Sequence, residues 1–159
     1  MKALSRIAAA SMLITALASC SIGFDHRWRK AAAESKGAPL TDLTGAWEGT
    51  WKSESTGHEG TLRAIAKPQA PTPGSTADAQ GRVLRYDFEY EATWKKFLSA
   101  VFRAEHQARW KKDGCVLTGQ KDLGRFGGIF RFTGEATPTE FHAKYESKSE
   151  SGVFEMKRP

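Results

Sequence analysis

The side chains with chemistry to offer in this 159-residue chain are few and widely spaced. Cysteine occurs only at Cys20 and Cys115. His58, His106 and His142 have no close spacing and no cysteine or aspartate cluster beside them, so no metal site is expected. There is no Gly-x-Ser-x-Gly, His-Glu-x-x-His or Ser-x-x-Lys, and no glycine loop that would cradle a phosphate. These absences point away from an enzyme and from a cofactor, and toward binding. The candidate ligand-binding residues are His106 and Tyr86, which are polar groups among apolar neighbours, together with His58, Trp94, Arg125 and Phe126. They form a site only if the fold gathers them.

The elements that must do so are strands. From Leu43 onward the hydrophobic period is two. Leu84, Tyr86, Phe88, Tyr90 and Ala92 alternate with Arg85, Asp87, Glu89, Glu91 and Thr93. Leu98, Ala100, Phe102, Ala104, His106, Ala108 and Trp110 alternate with Arg103, Glu105, Gln107, Arg109 and Lys111. Gly45–Ser53, His58–Ala66, Cys115–Lys121, Gly128–Ala136, Glu140–Ser147 and Gly152–Lys157 complete a predicted set of eight half-buried antiparallel strands. Turn residues separate most of them, as in Ser55-Thr56-Gly57, Lys112-Asp113-Gly114 and Thr137-Pro138-Thr139. Lys67–Gly81, with Pro68, Pro71, Pro73 and Gly74, reads instead as a long mobile loop. Trp47-x3-Trp51-x-Ser53 matches Phe141-x3-Tyr145-x-Ser147, and a turn and then Gly60 or Gly152 follow in each case. The match reads either as two equivalent hairpins at the ends of one sheet or as generic hairpin composition.

Eight strands with short connections predict an all-β fold, an up-and-down antiparallel barrel that leaves no exposed edge. One face carries Arg85, Asp87, Glu89, Glu91, Arg103, Glu105 and Arg109, which no lipid tail accepts, so the apolar face is the interior. That interior mixes bulky aromatics with small residues such as Gly49, Ala104, Ala108 and Gly119. An eight-stranded barrel of this kind is either filled by its side chains or holds one small ligand. His106 lies on the inward face, and a turn near Lys96 sets it opposite Tyr86. It reads either as a core histidine satisfied by the Tyr86 hydroxyl or as a polar anchor beneath an apolar pocket. His58 shares the inward parity, and Trp94, Lys95, Arg125 and Phe126 fall on loops at one mouth.

The N-terminus resembles the signal sequence of bacterial lipoproteins. Lys2 and Arg6 precede an apolar run, Ile7 to Ala18, and Leu17-Ala18-Ser19-Cys20 resembles the lipobox. The resemblance implies cleavage before Cys20 and acylation of that cysteine with palmitate and related chains, which anchors the protein to a membrane. Ser21, where the family's inner-membrane retention signal has Asp, implies the outer membrane of the bacterial cell envelope, with the protein facing the periplasm or the surface. The organisation expected is a signal peptide at 1–19, a lipidated tether at 20–42 and a barrel domain at 43–159. A short helical turn fits the middle of the tether, but no apolar stripe is evident to hold it down. The tether therefore reads as flexible, with a reach of roughly 25 Å. Arg27-Trp28-Arg29-Lys30 within it reads as a contact with anionic headgroups or as a solvated spacer.

Loss of residues 1–19 leaves 22 of the 24 basic residues against 18 acids, interleaved along the chain, which is no nucleic-acid footprint. Cys115 then has no partner for a disulfide and reads as an inert strand residue.

Gly45-Ala46-Trp47 at the head of the first strand resembles the Gly-x-Trp motif of lipocalins and other calycins. That resemblance implies an eight-stranded barrel closed at one end by an arginine packed across the tryptophan, here Arg158 over Trp47. It also implies a small apolar or amphipathic ligand. The other reading is an envelope module with a filled core that meets a protein or glycan through its loops.

Overall fold

Strict alternation leaves each strand with one face to bury, and closing the sheet on itself buries all of them at once. The structure, a computed structural model, describes residues 23–37, 39–70, 83–95, 98–124 and 128–159. Its strands are β1 (Gly45–Ser53), β2 (Glu59–Pro68), β3 (Val83–Trp94), β4 (Leu98–Lys111), β5 (Gly114–Asp122), β6 (Ile129–Ala136), β7 (Glu140–Glu146) and β8 (Ser151–Lys157). Each pairs antiparallel with the next, and β8 returns to pair with β1, which makes a closed eight-stranded barrel. The β1–β2, β3–β4, β5–β6 and β7–β8 connections lie at one end, the mouth; the start of β1 and the chain's last residues lie at the other, closed end.

The inward face matches the alternation. Trp47, Leu62, Tyr86, Phe88, Tyr90, Leu117, Phe132, Phe141, Phe154 and Met156 are buried in one core cluster. The hairpin match also has a structural content. Trp51 pairs with Gly60 and Tyr145 with Gly152, so in each hairpin the aromatic ring lies over a glycine across the ladder. Ser53 and Ser147 then hold the following turns through their hydroxyls, each accepting a bond from a backbone N–H two or three residues on. The long loop expected after β2 lies largely outside the described residues; β2 itself runs on to Pro68.

One sequence expectation is corrected. Residues 23–35, inside the expected flexible tether, form a helix, α1, that lies along the outer wall across β1, β2 and β3. Phe24, Trp28, Ala32 and Ser35 follow helical spacing and supply the missing stripe, with Phe24 fully buried. The Trp28 indole N–H donates to the Trp47 carbonyl at 2.9 Å. Arg63 on β2 bonds Asp25 at 2.7 Å and Glu91 at 2.6 Å, and its guanidinium stands 5.6 Å from the Phe24 ring and 5.1 Å from the Trp28 ring. Arg27 reaches Glu89 at 2.9 Å. Arg27 and Trp28 of the basic-aromatic cluster thus fasten the helix to the barrel, whereas Arg29 and Lys30 pair with Asp25 and Glu34 within the helix. The stripe works because the wall beneath it is apolar: Ala46 and Ile65 face outward, pair across β1–β2, and are 0% and 4% exposed.

Phe24→Ala is expected to destabilise the domain by about 3 kcal/mol, the lower end for a buried phenylalanine because a surface helix can relax. Urea unfolding measures it, and an unchanged midpoint would mean that α1 contributes nothing to the fold.

Candidate functional site

The interior divides into a filled closed half and a partly open mouth. At the closed end Arg158 crosses the Trp47 ring, with its guanidinium carbon 4.0 Å from the ring centroid. It donates to the carbonyls of Pro138, Thr44 and Asp42, each at 2.8 Å, and of Ala46 at 3.2 Å. Burial pulls its pKa down to about 10, which still leaves it charged at neutral pH. The Trp47 indole N–H in turn donates to the Leu43 carbonyl at 2.9 Å.

Above this plug, His106 is 1% exposed and ringed by Phe88, Tyr90, Phe132 and Phe141 at 4.9–6.3 Å between centroids. Tyr86 is its cross-strand partner, as the turn near Lys96 requires, but the hydrogen bond goes elsewhere: Tyr90 Oη and His106 Nε2 are 2.9 Å apart. The physical reason is the lean of the rings along the strands. Tyr90, four residues up β3, brings its hydroxyl onto the imidazole, whereas the Tyr86 hydroxyl lies by the Trp110 indole. Burial raises the Tyr86 hydroxyl above the usual tyrosine range, and neither it nor the Trp110 indole attains hydrogen-bond geometry; both are without a partner, as is His106 Nδ1. His106 sits over Gly119, whose missing side chain makes its room; a Cβ there would stand 2.8 Å from Nδ1. Burial lowers the His106 pKa to about 4, so it is neutral at physiological pH. Burial also pushes the Cys115 thiol up to about 11, and it is inert.

The mouth holds a cavity of about 260 Å³ lined mainly by aromatic side chains. Trp51, Trp94, Phe102, Phe130, Phe132, Tyr145 and Phe154 form its floor and walls, with Ala92 and Leu123 between them. The rings support one another: Tyr145 and Phe154 are 4.9 Å apart, Tyr90 and Phe102 5.0 Å, and Phe132 and Phe154 6.0 Å. The polar groups at its edge are His58, Lys121 and Glu150. Burial first, then the Glu150 carboxylate, push the Tyr145 hydroxyl up to about 12, so it stays protonated. Hollows of about 420 Å³ beside the β4–β5 turn and about 560 Å³ over β4–β6 are larger. The first is bordered by Lys111, Lys112, Asp113, Glu135 and Glu140, and the second by Glu105, Gln107, Gln120 and Arg131 on the outer face. The mouth is where concavity and apolar lining coincide.

Of the residues the sequence pointed to, the mouth brings together His58 and Trp94. It does not include His106 and Tyr86, which lie deeper in packed core. Arg125 and Phe126 lie outside the described residues, as does Cys20. Lys121 was not among the candidates, although its parity with Cys115, Leu117 and Gly119 marks it as inward. Among the described residues no histidine, cysteine or acid cluster is placed to hold a metal, and no helix is long and apolar enough to cross a membrane. Comparisons with protein families, with curated proteins and with solved structures found no match.

Two consequences of the core geometry are open to measurement. Tyr90→Phe leaves His106 Nε2 unsatisfied and should cost about 1–3 kcal/mol, whereas Tyr86→Phe removes a hydroxyl that makes no bond and should be neutral or slightly stabilising. Equal losses in chemical denaturation would contradict the assigned partner. Separately, His106 titrates near 6.5 unfolded and about 4 folded, so the unfolded state binds more protons between those values. Stability should be full above pH 6.5 and fall by on the order of 3 kcal/mol as pH drops to about 4, a slope that His106→Leu flattens.

Proposed function

We propose that this chain is a lipid-anchored protein of the bacterial outer membrane whose barrel binds one small apolar or amphipathic molecule at its mouth, without catalysis. The observation that carries the binding reading is the mouth cavity of about 260 Å³, lined by aromatic side chains whose rings pack against one another at a tilt. Transfer of an apolar ligand surface from water into such a pocket is favourable at about 25 cal/mol per Å². The volume lies just below the usual range for drug-sized ligands, about 300–1,000 Å³, so the occupant is a single short chain or a small ring system. Anchoring rests on the lipobox at Leu17–Cys20, and with it the membrane as partner. Against the alternative of an interaction module with a filled core, only the closed half is filled. In favour of that alternative, Leu98 and Ile129 are exposed near the mouth, 42% and 47%, where a protein or glycan would meet them.

Two measurements test the reading. Cells supplied with labelled palmitate should label the wild-type chain and not Cys20→Ser. The Cys20→Ser chain keeps every described residue. Titrated with the neutral dye N-phenyl-1-naphthylamine, it should take up one molecule per barrel with micromolar affinity, and Ala92→Trp, which fills the cavity, should abolish uptake. A wild-type core that takes up no dye would favour the interaction module.

A further inference from the structure

Lysines on this barrel obey the alternation, with one exception. Lys52, Lys111, Lys144 and Lys157 fall on the outward parity of their strands, but Lys121 falls inward, on the line Cys115, Leu117, Gly119. Across the described strands the inward positions otherwise carry no formal charge: His106 is neutral, and Arg158 lies beyond β8 in the plug. Lys121 pairs across the ladder with Phe130 and is half-buried at the edge of the aromatic cavity. A lysine so placed can lay its stem over ring surface and keep its ammonium toward water at the rim. The ion pairs among the described residues engage Arg27, Arg29, Lys30, Arg63, Arg85 and Arg103, and none engages Lys121. Among the described residues that line the cavity the one carboxylate is Glu150, in the β7–β8 turn; it interacts with the Tyr145 hydroxyl and makes no ion pair with Lys121.

We propose that the mouth selects amphipathic anions, with the apolar part seated among Phe102, Phe130, Phe132, Tyr145 and Phe154 and the anionic head paired with Lys121. This rests on the binding function proposed above and names the class of ligand. Among the described residues, an apolar well with an ammonium in no ion pair at its edge is complementary to a molecule with an apolar tail and one negative head. A charge-assisted bond at a partly desolvated rim is stronger than a neutral one. A neutral molecule of the same shape would fill the well and leave the ammonium to water. A cationic head would meet Lys121 as a like charge. The small volume limits the tail to a short chain, or to part of a longer one that emerges between the hairpins.

The test is displacement of N-phenyl-1-naphthylamine from the Cys20→Ser chain by three eight-carbon probes at low ionic strength: octanoate, 1-octanol and octylammonium. Octanoate should displace the dye about tenfold more effectively than octanol, and octylammonium least. Lys121→Gln should erase the octanoate advantage over octanol while leaving the unfolding midpoint unchanged, and Lys121→Glu should make octylammonium the best of the three. Raising the salt concentration should reduce the octanoate preference. Equal displacement by octanoate and octanol, a preference for octylammonium in the wild type, or an octanoate advantage that survives Lys121→Gln would each overturn the anion assignment and leave the binding function standing. Failure of the dye and all three probes to bind would overturn both.

Discussion

The fold depends on one closure, the meeting of β8 with β1. Hydrogen bonds from Glu48↔Lys157 to Ser53↔Gly152 convert an open meander into a barrel, and Arg158 secures that seam from below. Its guanidinium faces four backbone carbonyls and an aromatic ring, and no carboxylate among the described residues is bonded to it. Carbonyl dipoles suffice because several converge on a planar fork of donors, which compensates for the partial loss of hydration. The arrangement also explains the glycine at the head of β1. Gly45 has φ +114°, and a Cβ there would come 3.0 Å from Arg158 Nη1. A side chain at that position would strain the backbone and push the guanidinium off Trp47. Asp42–Ala46, the β6–β7 turn and the chain's end are thus joined through one residue.

Closure leaves a fixed interior, and aromatic volume divides it. In the lower part Trp47, Tyr86, Phe88, Tyr90, His106 and Phe141 fill the space, with Ala104, Ala108 and Gly119 as the small residues that let the rings interlock. Toward the mouth the opposing inward residues of β3 and β4 shrink to Ala92 and Ala100, a cross-strand pair, and the barrel is no longer filled. The cavity is therefore a result of graded side-chain size along the strands. The Tyr90–His106 pair sits at the boundary, a polar contact within a floor of rings.

Most of the architecture was legible because alternation is a strong and redundant signal. Strand parity identified the inward residues, and the Trp51–Gly60 and Tyr145–Gly152 correspondence foreshadowed the two hairpins that meet on closure. Two features were not legible, for different reasons. The stripe of α1 is short: Phe24, Trp28 and Ala32 become a binding face only opposite a matching patch, and that patch comes from strands over ten residues away in sequence. Its trace was Ile65, an apolar residue on an outward position between Arg63 and Lys67. The histidine's partner was misread because register places Cα atoms opposite one another but does not say which way a ring leans. Lys121 shows the converse case: parity marked it as inward, yet a lysine at a strand end reads by habit as solvated.

The helix also changes what an anchored N-terminus would mean. Were residues 20–42 a free tether, the barrel would tumble at the end of a leash and no face would be favoured. With α1 bound to the wall, Cys20 stands only three residues before Phe24's neighbour Gly23, a span of at most about 11 Å of extended chain. The helix runs from Ser35, against Gly45 at the closed end, to Asp25, against Arg63 halfway up β2. An acylated Cys20, as proposed, would therefore hold the barrel by its side wall near mid-height, and neither the plugged end nor the mouth would point straight at the bilayer. The ion pairs of Arg27 and Arg63 hold α1 against the wall and would fix where such an anchor attaches to the barrel.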